Sequence, residues 1–427
     1  MRFIHAADLH IDSPLRGLSR YEGAPLERLR GATRRALERL VELAIDEKVD
    51  FVLIAGDLYD RDWQDFHTGL FVRDQMARLA KAEIRVFLVQ GNHDAHGVIT
   101  RQVPWPANVK LFSSRAAETV RIDELNVAVH GQSFADREVP EDLVPGYPDG
   151  VTGYFNIGVL HTSLTGAVGH DTYAPTSIAA LQAKGYDYWA LGHIHARQVV
   201  CAEPRVVFPG NLQGRHALET GPKGCELVTV VGSTVDARFV PLDVVRWHQI
   251  QFDLSPIRNI DDLPGQLLVT LQAAVAGAGD VLHAVRVLLV GETHLHATEA
   301  QQPGTLAAAV RSAAQDVIDA EIWVEQVRLS LSSPIDRSQL SQGNDALGEL
   351  VRLVDMLKSD ERSLEAFCRD VLSEVYNRIP AEVTVASSRD TGSEEIPKLN
   401  EAKELMALIM DAEATLLARL SSGGTQL

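Results

Sequence analysis

The chain has few of the residues that mark disulfide-bonded, zinc-knuckle or membrane-spanning proteins. Its three cysteines, Cys201, Cys225 and Cys368, lie far apart and form no C-x-x-C pair, so we expect neither a disulfide framework nor a cysteine zinc site. Its most apolar long stretch, residues 267–290, is interrupted by polar and charged side chains and falls short of the roughly 18 apolar residues that a membrane span needs. We therefore expect a soluble protein of the reducing cytoplasm, with no membrane partner.

Positive charge is also scarce. The 427 residues include 40 Lys and Arg against 58 Asp and Glu, a formal net charge of -18, and the acidic excess lies mainly after residue 245. This balance argues against non-specific coating of nucleic acid. It remains compatible with a local cationic site for phosphate, because screening at physiological salt acts over about 8 Å. The first residues reach Asp8 without the apolar region of a signal peptide, so we expect no secretion by that route.

Changes of pattern along the chain predict more than one domain. Residues 1–245 alternate short apolar strands with amphipathic helices, and residues 246–333 follow the order strand, helix, strand, helix, strand, which predicts a smaller α+β cap domain. Residues 334–427 carry apolar side chains at helical spacing and predict a helical tail. Within the tail, residues 380–398 are rich in Ser, Thr, Glu and Asp, which predicts a mobile linker. The tail is expected either to dock a partner or to pack on the protein's own second domain or helix against helix.

The first region carries five short polar clusters, each where a strand is expected to end. Apolar residues 51–55 precede the second cluster, and apolar residues 86–89 precede the third. The clusters are Asp8-Leu9-His10, Gly56-Asp57-Leu58-Tyr59-Asp60, Gly91-Asn92-His93-Asp94, His161 and Gly192-His193-Ile194-His195. The carboxyl ends of strands are where open α/β sheets build active sites. Carboxylate, imidazole and carboxamide groups suit divalent ions such as Mn, Fe or Zn, so the pattern indicates a metal-dependent phosphoesterase.

The number of donors is sufficient for two cations. Two ions about 3.5 to 4 Å apart can clamp both oxygens of a phosphoryl displacement if one ligand bridges them. Asp57 is the expected bridge, because a carboxylate can offer one oxygen to each ion whereas an imidazole cannot. The expected ligands of one ion are Asp8, His10, Asp57 and His195, and those of the other are Asp57, Asn92, His161 and His193.

His93 is left outside both ligand sets. A histidine beside the leaving oxygen can donate a proton to it, and Asp94, the next residue, is expected to orient its ring. A single D-x-H or H-x-H motif is usually incidental. Five clusters in order at strand ends favour catalysis by these residues.

The order of the clusters resembles the pattern D-x-H, G-D-x-x-D, G-N-H-D, H, G-H-x-H of the calcineurin-like metallophosphoesterase superfamily. Segments 169–175, 187–193 and 209–216 are more specifically similar to the SbcD-like DNA repair exonucleases, especially their YhaO-like branch. This resemblance, which covers about residues 1–245, implies an α/β sandwich of mixed sheets flanked by helices. It also implies two Mn²⁺ ions, a DNA substrate and a coiled-coil, SMC-like ATPase partner. Glu292 stands where these relatives lead us to expect a basic residue, so contact of the second domain with DNA stays open.

Three further residues are candidates for substrate binding: Arg215, His216 and His170. Arg215 lies in a glycine-containing loop, where an arginine either contacts a substrate phosphate through two hydrogen bonds or pairs with nearby carboxylates. Three functions compete at this point. The first is a DNA exonuclease or endonuclease of DNA repair, which the length of the chain favours. The second is a phosphoesterase acting on nucleotides or another small phosphorylated substrate, and the third is a non-catalytic scaffold subunit. A homodimer is left open.

Overall fold

The computed structural model describes seven segments of the chain, and every structural statement below concerns them: residues 1–13, 23–60, 66–95, 104–164, 173–277, 279–373 and 402–422. The chain divides into two units, one built mainly from Pro25–Trp247 with the first strand, the other from His248–Gly279 and His283–Leu427. The predicted linker at 380–398 and the candidate residue His170 lie outside the described residues. No described helix is long and apolar enough to cross a membrane.

The first unit contains two six-stranded mixed sheets. The strand bounds are β1 Arg2–Ala6, β2 Phe51–Ala55, β3 Arg85–Val89, β4 Val109–Leu111, β5 Glu118–Ile122, β6 Val127–Gly131, β7 Phe155–His161, β8 Tyr188–Gly192, β9 Gln198–Cys201, β10 Arg205–Phe208, β11 Gly224–Val231 and β12 Thr234–Pro241. The first sheet has the strand order β12-β11-β1-β2-β3-β4, and the second β5-β6-β7-β8-β10-β9. Strands β1 to β4 run parallel, as do β6, β7, β8 and β10, while β5, β9, β11 and β12 pair antiparallel with their neighbours.

The two sheets share an aromatic core. Phe3 and Phe51 of the first sheet stack with their ring centroids 5.0 Å apart, and Tyr188 of the second sheet meets Phe3 edge-on at 5.3 Å. Because side chains alternate across a strand, the neighbouring residues Ile4 and Val52 point to the opposite face of the first sheet. The first sheet is therefore buried on both faces, which explains why β2 is apolar at all five positions.

Helices cover the outer faces of this sandwich. The helix bounds are α1 Leu26–Arg30, α2 Ala32–Asp46, α3 Phe66–Lys81 and α4 Ile178–Ala183, with short 3-10 helices at Asp123–Leu125 and Val144–Gly146. Leu37 and Leu40 of α2 and Met76 of α3 pack on the outer face of the first sheet, and Leu181 of α4 packs with Trp189 on that of the second. The expected fold class, a sandwich of mixed sheets flanked by helices, is confirmed. The first amphipathic helix is divided at Gly31 into α1 and α2.

The second unit is built on a three-stranded sheet. The elements are β13 Val245–Asp253, the 3-10 helix Ile260–Asp262, α5 Leu263–Val275, β14 Leu282–Glu292, α6 Leu295–Gln301, α7 Thr305–Gln315 and β15 Glu321–Ser332. The sheet has the order β13-β14-β15. Leu267 and Leu271 of α5 and Val310 of α7 pack with Val285 and Val287 of β14 in one core. All five elements expected in this region are present, whereas α6 was not expected.

The helices of the tail belong to this second unit. Their bounds are α8 Arg337–Ser341, α9 Ala346–Ser359, α10 Glu361–Val371 and α11 Ala402–Ser422. Leu357, Leu364, Cys368 and Leu405 form a buried cluster among them. The guanidinium of Arg419 donates to the carbonyl oxygen of Ala300 at 2.7 Å, which ties α11 to α6. Part of the tail's apolar surface is thus buried within the second unit.

Candidate active site

The polar clusters lie where parallel strands of the first unit end. Strands β1, β2 and β3 end at Ala6, Ala55 and Val89, and β7 and β8 end at His161 and Gly192. The side chains that follow these ends are Asp8, His10, Asp57, Asn92, His93, Asp94, His161, His193 and His195. Because the carboxyl ends of parallel strands meet at one edge of a sheet, these residues converge although they are far apart along the chain.

Seven predicted metal ligands fall into two groups joined by Asp57. Ligand atoms of Asp8, His10 and His195 lie within 4.8 Å of one another, as do those of Asp57, His161 and His193. Oδ2 of Asp57 lies 3.8 Å from Nε2 of His10 and 3.4 Å from Nε2 of His161. Asp57 is therefore between the two groups, where a bridging carboxylate must be. Asn92 completes the second group, because its Oδ1 lies 2.9 Å from Nε2 of His161.

The donors around His161 fit a cation. Nδ1 of His161 lies 2.9 Å from the carbonyl oxygen of Ala55, which can only accept, so Nδ1 carries a hydrogen, and in the neutral ring Nε2 presents a lone pair. That lone pair faces the oxygens of Asn92 and Asp57, so three electron donors point at one place. Burial lowers the pKa of His161, but the negative charges of Asp57 and Asp8 outweigh burial and raise it to about 9. The position attracts positive charge, either a proton or a metal ion.

The backbone is unusual at four of the predicted ligands. Asp8, His10, Asp57 and His193 have φ angles of 51°, 42°, 52° and 104°, in the region that side-chain-bearing residues seldom adopt. Each such conformation costs on the order of 1 to 3 kcal/mol and persists where the surroundings impose it, most often at functional sites. Hydrogen bonds supply part of that restraint, because both carboxylate oxygens of Asp8 accept from the backbone N–H of His193, at 3.1 and 3.0 Å.

His93 is oriented by Asp60 and not by Asp94, which corrects the sequence-based expectation. Nδ1 of His93 lies 2.7 Å from Oδ1 of Asp60. Asp94 is turned away and accepts from the backbone N–H groups of Leu58 and Tyr59 at 3.0 and 2.9 Å, so it braces the loop after β2. The chain neighbour of a residue at a strand end points in another direction, whereas the second aspartate of G-D-x-x-D reaches across to His93.

Asp60, His93 and His10 also form a third group with ligand atoms within 4.8 Å. Nδ1 of His93 and Oδ1 of Asp60 lie 2.7 Å apart, the separation of a close ion pair, so we assign these two residues to an acid-base pair. Burial opposes protonation of His93, but the carboxylates of Asp57 and Asp60 outweigh it and raise its pKa above the ordinary value. His93 therefore holds a proton at neutral pH more readily than a free histidine does.

Arg215 pairs with nearby carboxylates. The sequence left this alternative open beside contact with a substrate phosphate. Its Nη2 lies 3.2 Å from Oε1 of Glu219 and its Nη1 lies 3.8 Å from Oδ2 of Asp60. Nε2 of His216 lies 3.6 Å from the same oxygen of Glu219. Arg215 and His216 are thus beside the site. The sequence did not point to Glu219 as a residue of the site. Its one signal was the spacing of four residues from Arg215, which is compatible with an ion pair.

Comparison with known proteins gives matches to two family models. Residues 1–197 match the calcineurin-like phosphoesterase model, and residues 247–332 match the model of the middle domain of the metallophosphoesterase YhaO. An uncharacterized metallophosphoesterase YhaO of Bacillus subtilis (strain 168) is 38% identical over 267 residues, which are 62% of this chain and 65% of that protein. The aligned region thus spans just under two thirds of that relative. These matches confirm the resemblance to calcineurin-like metallophosphoesterases and to YhaO.

Comparison with solved structures gives matches of low sequence identity and low TM-score. The protein TT1561 of Thermus thermophilus is 13% identical, with a TM-score of 0.32, covering 56% of this chain and 98% of that one. A dimetal phosphatase from Danio rerio is 12% identical, with a TM-score of 0.33, covering 54% of this chain and 93% of that one. Likenesses at this level say nothing about the substrate.

Proposed function

Since residues 1–197 are a calcineurin-like phosphoesterase domain, we propose that this protein hydrolyses phosphate esters with the help of two divalent cations. The observation that carries the proposal is the position of Asp57 between two groups of buried nitrogen and oxygen donors. Neutral imidazoles and two carboxylates would leave a pair of dications with residual positive charge, which attracts a phosphate group.

The residues divide into those that hold the ions and those that act on the substrate. Asp8, His10 and His195 would hold one ion, Asn92, His161 and His193 the other, and Asp57 both. When bound, such ions polarise the phosphoryl oxygens and lower the pKa of water. His93 has its Nδ1 on Asp60, which leaves Nε2 to donate a proton to the leaving oxygen. The side chain of His93 is 19% exposed, so a substrate can reach it.

We propose further that the ester is a DNA phosphodiester and that the ions are Mn²⁺. The SbcD-like segments of the sequence support a nuclease, and a small-molecule phosphatase would have no need of the second unit. A coiled-coil, SMC-like ATPase is the proposed partner. Met356 of α9 and Leu416 and Leu420 of α11 support a docking role for the tail, because they are 52%, 43% and 49% exposed.

One set of assays tests the activity and the substrate. The purified chain is incubated with bis(p-nitrophenyl) phosphate, with a nucleoside monophosphate, and with labelled single- and double-stranded DNA, each with Mn²⁺ and with EDTA. We expect DNA cleavage in Mn²⁺ and none in EDTA. His93→Ala should lose most turnover and keep its Mn²⁺, whereas the exposed His294 of the second unit, changed to alanine, should behave as wild type.

The outcomes separate the competing functions. Hydrolysis of the nucleotide without cleavage of DNA would replace the nuclease by a small-substrate phosphoesterase. Bound Mn²⁺ with no turnover of any substrate would favour the scaffold. Loss of Mn²⁺ from His93→Ala would make His93 a metal ligand.

A further inference from the structure

Glu219 is a buried carboxylate surrounded by hydrogen-bond donors. Glu219 is 8% exposed. Its Oε1 lies 2.7 Å from Nδ1 of His195 and 3.2 Å from Nη2 of Arg215. Its Oε2 accepts from Nδ2 of Asn211 at 2.8 Å and from the backbone N–H of Arg215 at 2.7 Å. Both oxygens are therefore saturated by groups that belong to the loops around the site.

These contacts determine which nitrogen of His195 carries the ring hydrogen. Nδ1 of His195 lies 2.7 Å from this carboxylate and 3.4 Å from Nη2 of Arg215. Because an ionised carboxylate can only accept, the shorter contact makes Nδ1 the donor. The lone pair then lies on Nε2. Nε2 of His195 faces Nε2 of His10 at 3.2 Å, on the side where the first group of ligands converges.

The main chain of His195 is held by two hydrogen bonds to its carbonyl oxygen. Nζ of Lys223, a residue that is 6% exposed, donates to the carbonyl oxygen of His195 at 2.9 Å. The backbone N–H of Asn211 donates to the same oxygen at 3.3 Å. Because the main chain is anchored, the freedom left to His195 is rotation of its ring and exchange of the ring hydrogen between Nδ1 and Nε2. The contact with Glu219 opposes both.

We infer that Glu219 is a positioning residue, which fixes the tautomer and direction of His195 for the cation that His195 shares with Asp8 and His10. The inference rests on the proposed function in one respect only, the assignment of His195 as a metal ligand. Carboxylates in this position raise the basicity of a ligating imidazole, and their loss lowers metal affinity by about 10- to 100-fold.

Glu219→Gln is the sharpest change, because an amide has the shape of the carboxylate but only one acceptor oxygen. Whichever way the amide turns, its NH₂ group faces donors, either Asn211 and the backbone of Arg215 or the ring of His195. Glu325→Gln is the matched control in the second unit. Glu325 is 5% exposed and accepts from Arg286 through both oxygens, at 2.9 and 2.7 Å.

Mn²⁺ binding to the metal-free proteins is measured by isothermal titration calorimetry, and folding by circular dichroism and thermal unfolding. We expect Glu219→Gln to bind one of its two Mn²⁺ ions about 10- to 100-fold more weakly and the other with unchanged affinity. Glu325→Gln should bind both ions as wild type does. A merely structural role of Glu219 would lower the unfolding temperature of the metal-free protein without this selective loss at one site.

Equal binding of both ions by a folded Glu219→Gln and by wild type would overturn the inference. A wild-type protein that binds no Mn²⁺ would instead overturn the proposed function, so the two failures are distinguishable. If Glu219→Gln does not fold, the ring ¹⁵N signals of wild-type His195 decide, assigned by their loss in His195→Gln. A hydrogen on Nδ1 in metal-free protein at pH 8 supports the inference, and a hydrogen on Nε2 alone refutes it.

Discussion

Replacing Gly91 by alanine is expected to lower turnover about 100-fold while the protein stays folded. A Cβ at this position would lie 2.8 Å from Nε2 and Cε1 of His161, and closer still to Oδ1 of Asp57, where ordinary contacts begin at 3.4 Å. His161 would have to retreat by about 0.6 Å and Asp57 by on the order of 1 Å, a misplacement that can cost about 10²-fold in rate. Gly91 has no positive φ, so the effect is steric and does not come from backbone strain.

The assay is hydrolysis of bis(p-nitrophenyl) phosphate in Mn²⁺, with Mn²⁺ binding measured alongside. Gly146→Ala is the matched control, because Gly146 lies in the same unit, also lacks a positive φ, and has nothing within 4 Å of its added Cβ. We expect Gly146→Ala to retain wild-type rate and metal content. A Gly91→Ala protein with both ions bound and a rate within about threefold of wild type would refute the geometry on which the two-metal proposal rests.

Other predictions concern the acid-base pair, the loop brace and the tail. Asp60→Asn should lower kcat by about 100-fold, because His93 loses the carboxylate that orients its ring and stabilises its protonated form; Mn²⁺ content should stay the same, and its loss would make Asp60 a ligand. Asp94→Asn should lower the free energy of unfolding, measured by urea titration, by about 1 to 3 kcal/mol, since an NH₂ group would then face backbone donors. An unchanged urea midpoint would show that Asp94 does not stabilise the loop after β2. Leu357→Ala should cost about 2 to 5 kcal/mol, because Leu357 is only 2% exposed in the tail cluster, whereas Met356→Ala should be nearly neutral. Equal stability of these two variants would show that the tail helices do not pack as described.

The sequence alone determined the fold class and the set of predicted metal ligands. Runs such as residues 51–55 are apolar at every position because strands of the first sheet are buried on both faces, and this pattern depends only on local order. Polar residues directly after such runs had to meet, since parallel strands bring their carboxyl ends to one edge. The alternation of strands and helices in the second unit was likewise predictable, because the apolar pattern of each element depends only on local order.

Only the tertiary structure decided which side chains contact and orient each other. Asp94 is the chain neighbour of His93, yet Asp60 holds its ring, because direction at a strand end depends on the conformation of the loop after Asp57, where φ is 52°. Glu219 lies 24 positions from His195, and no period or motif connects them. Such contacts arise only when separate loops fold over the same strand ends. Local spacing therefore supplied the ligands, while long-range packing selected their partners.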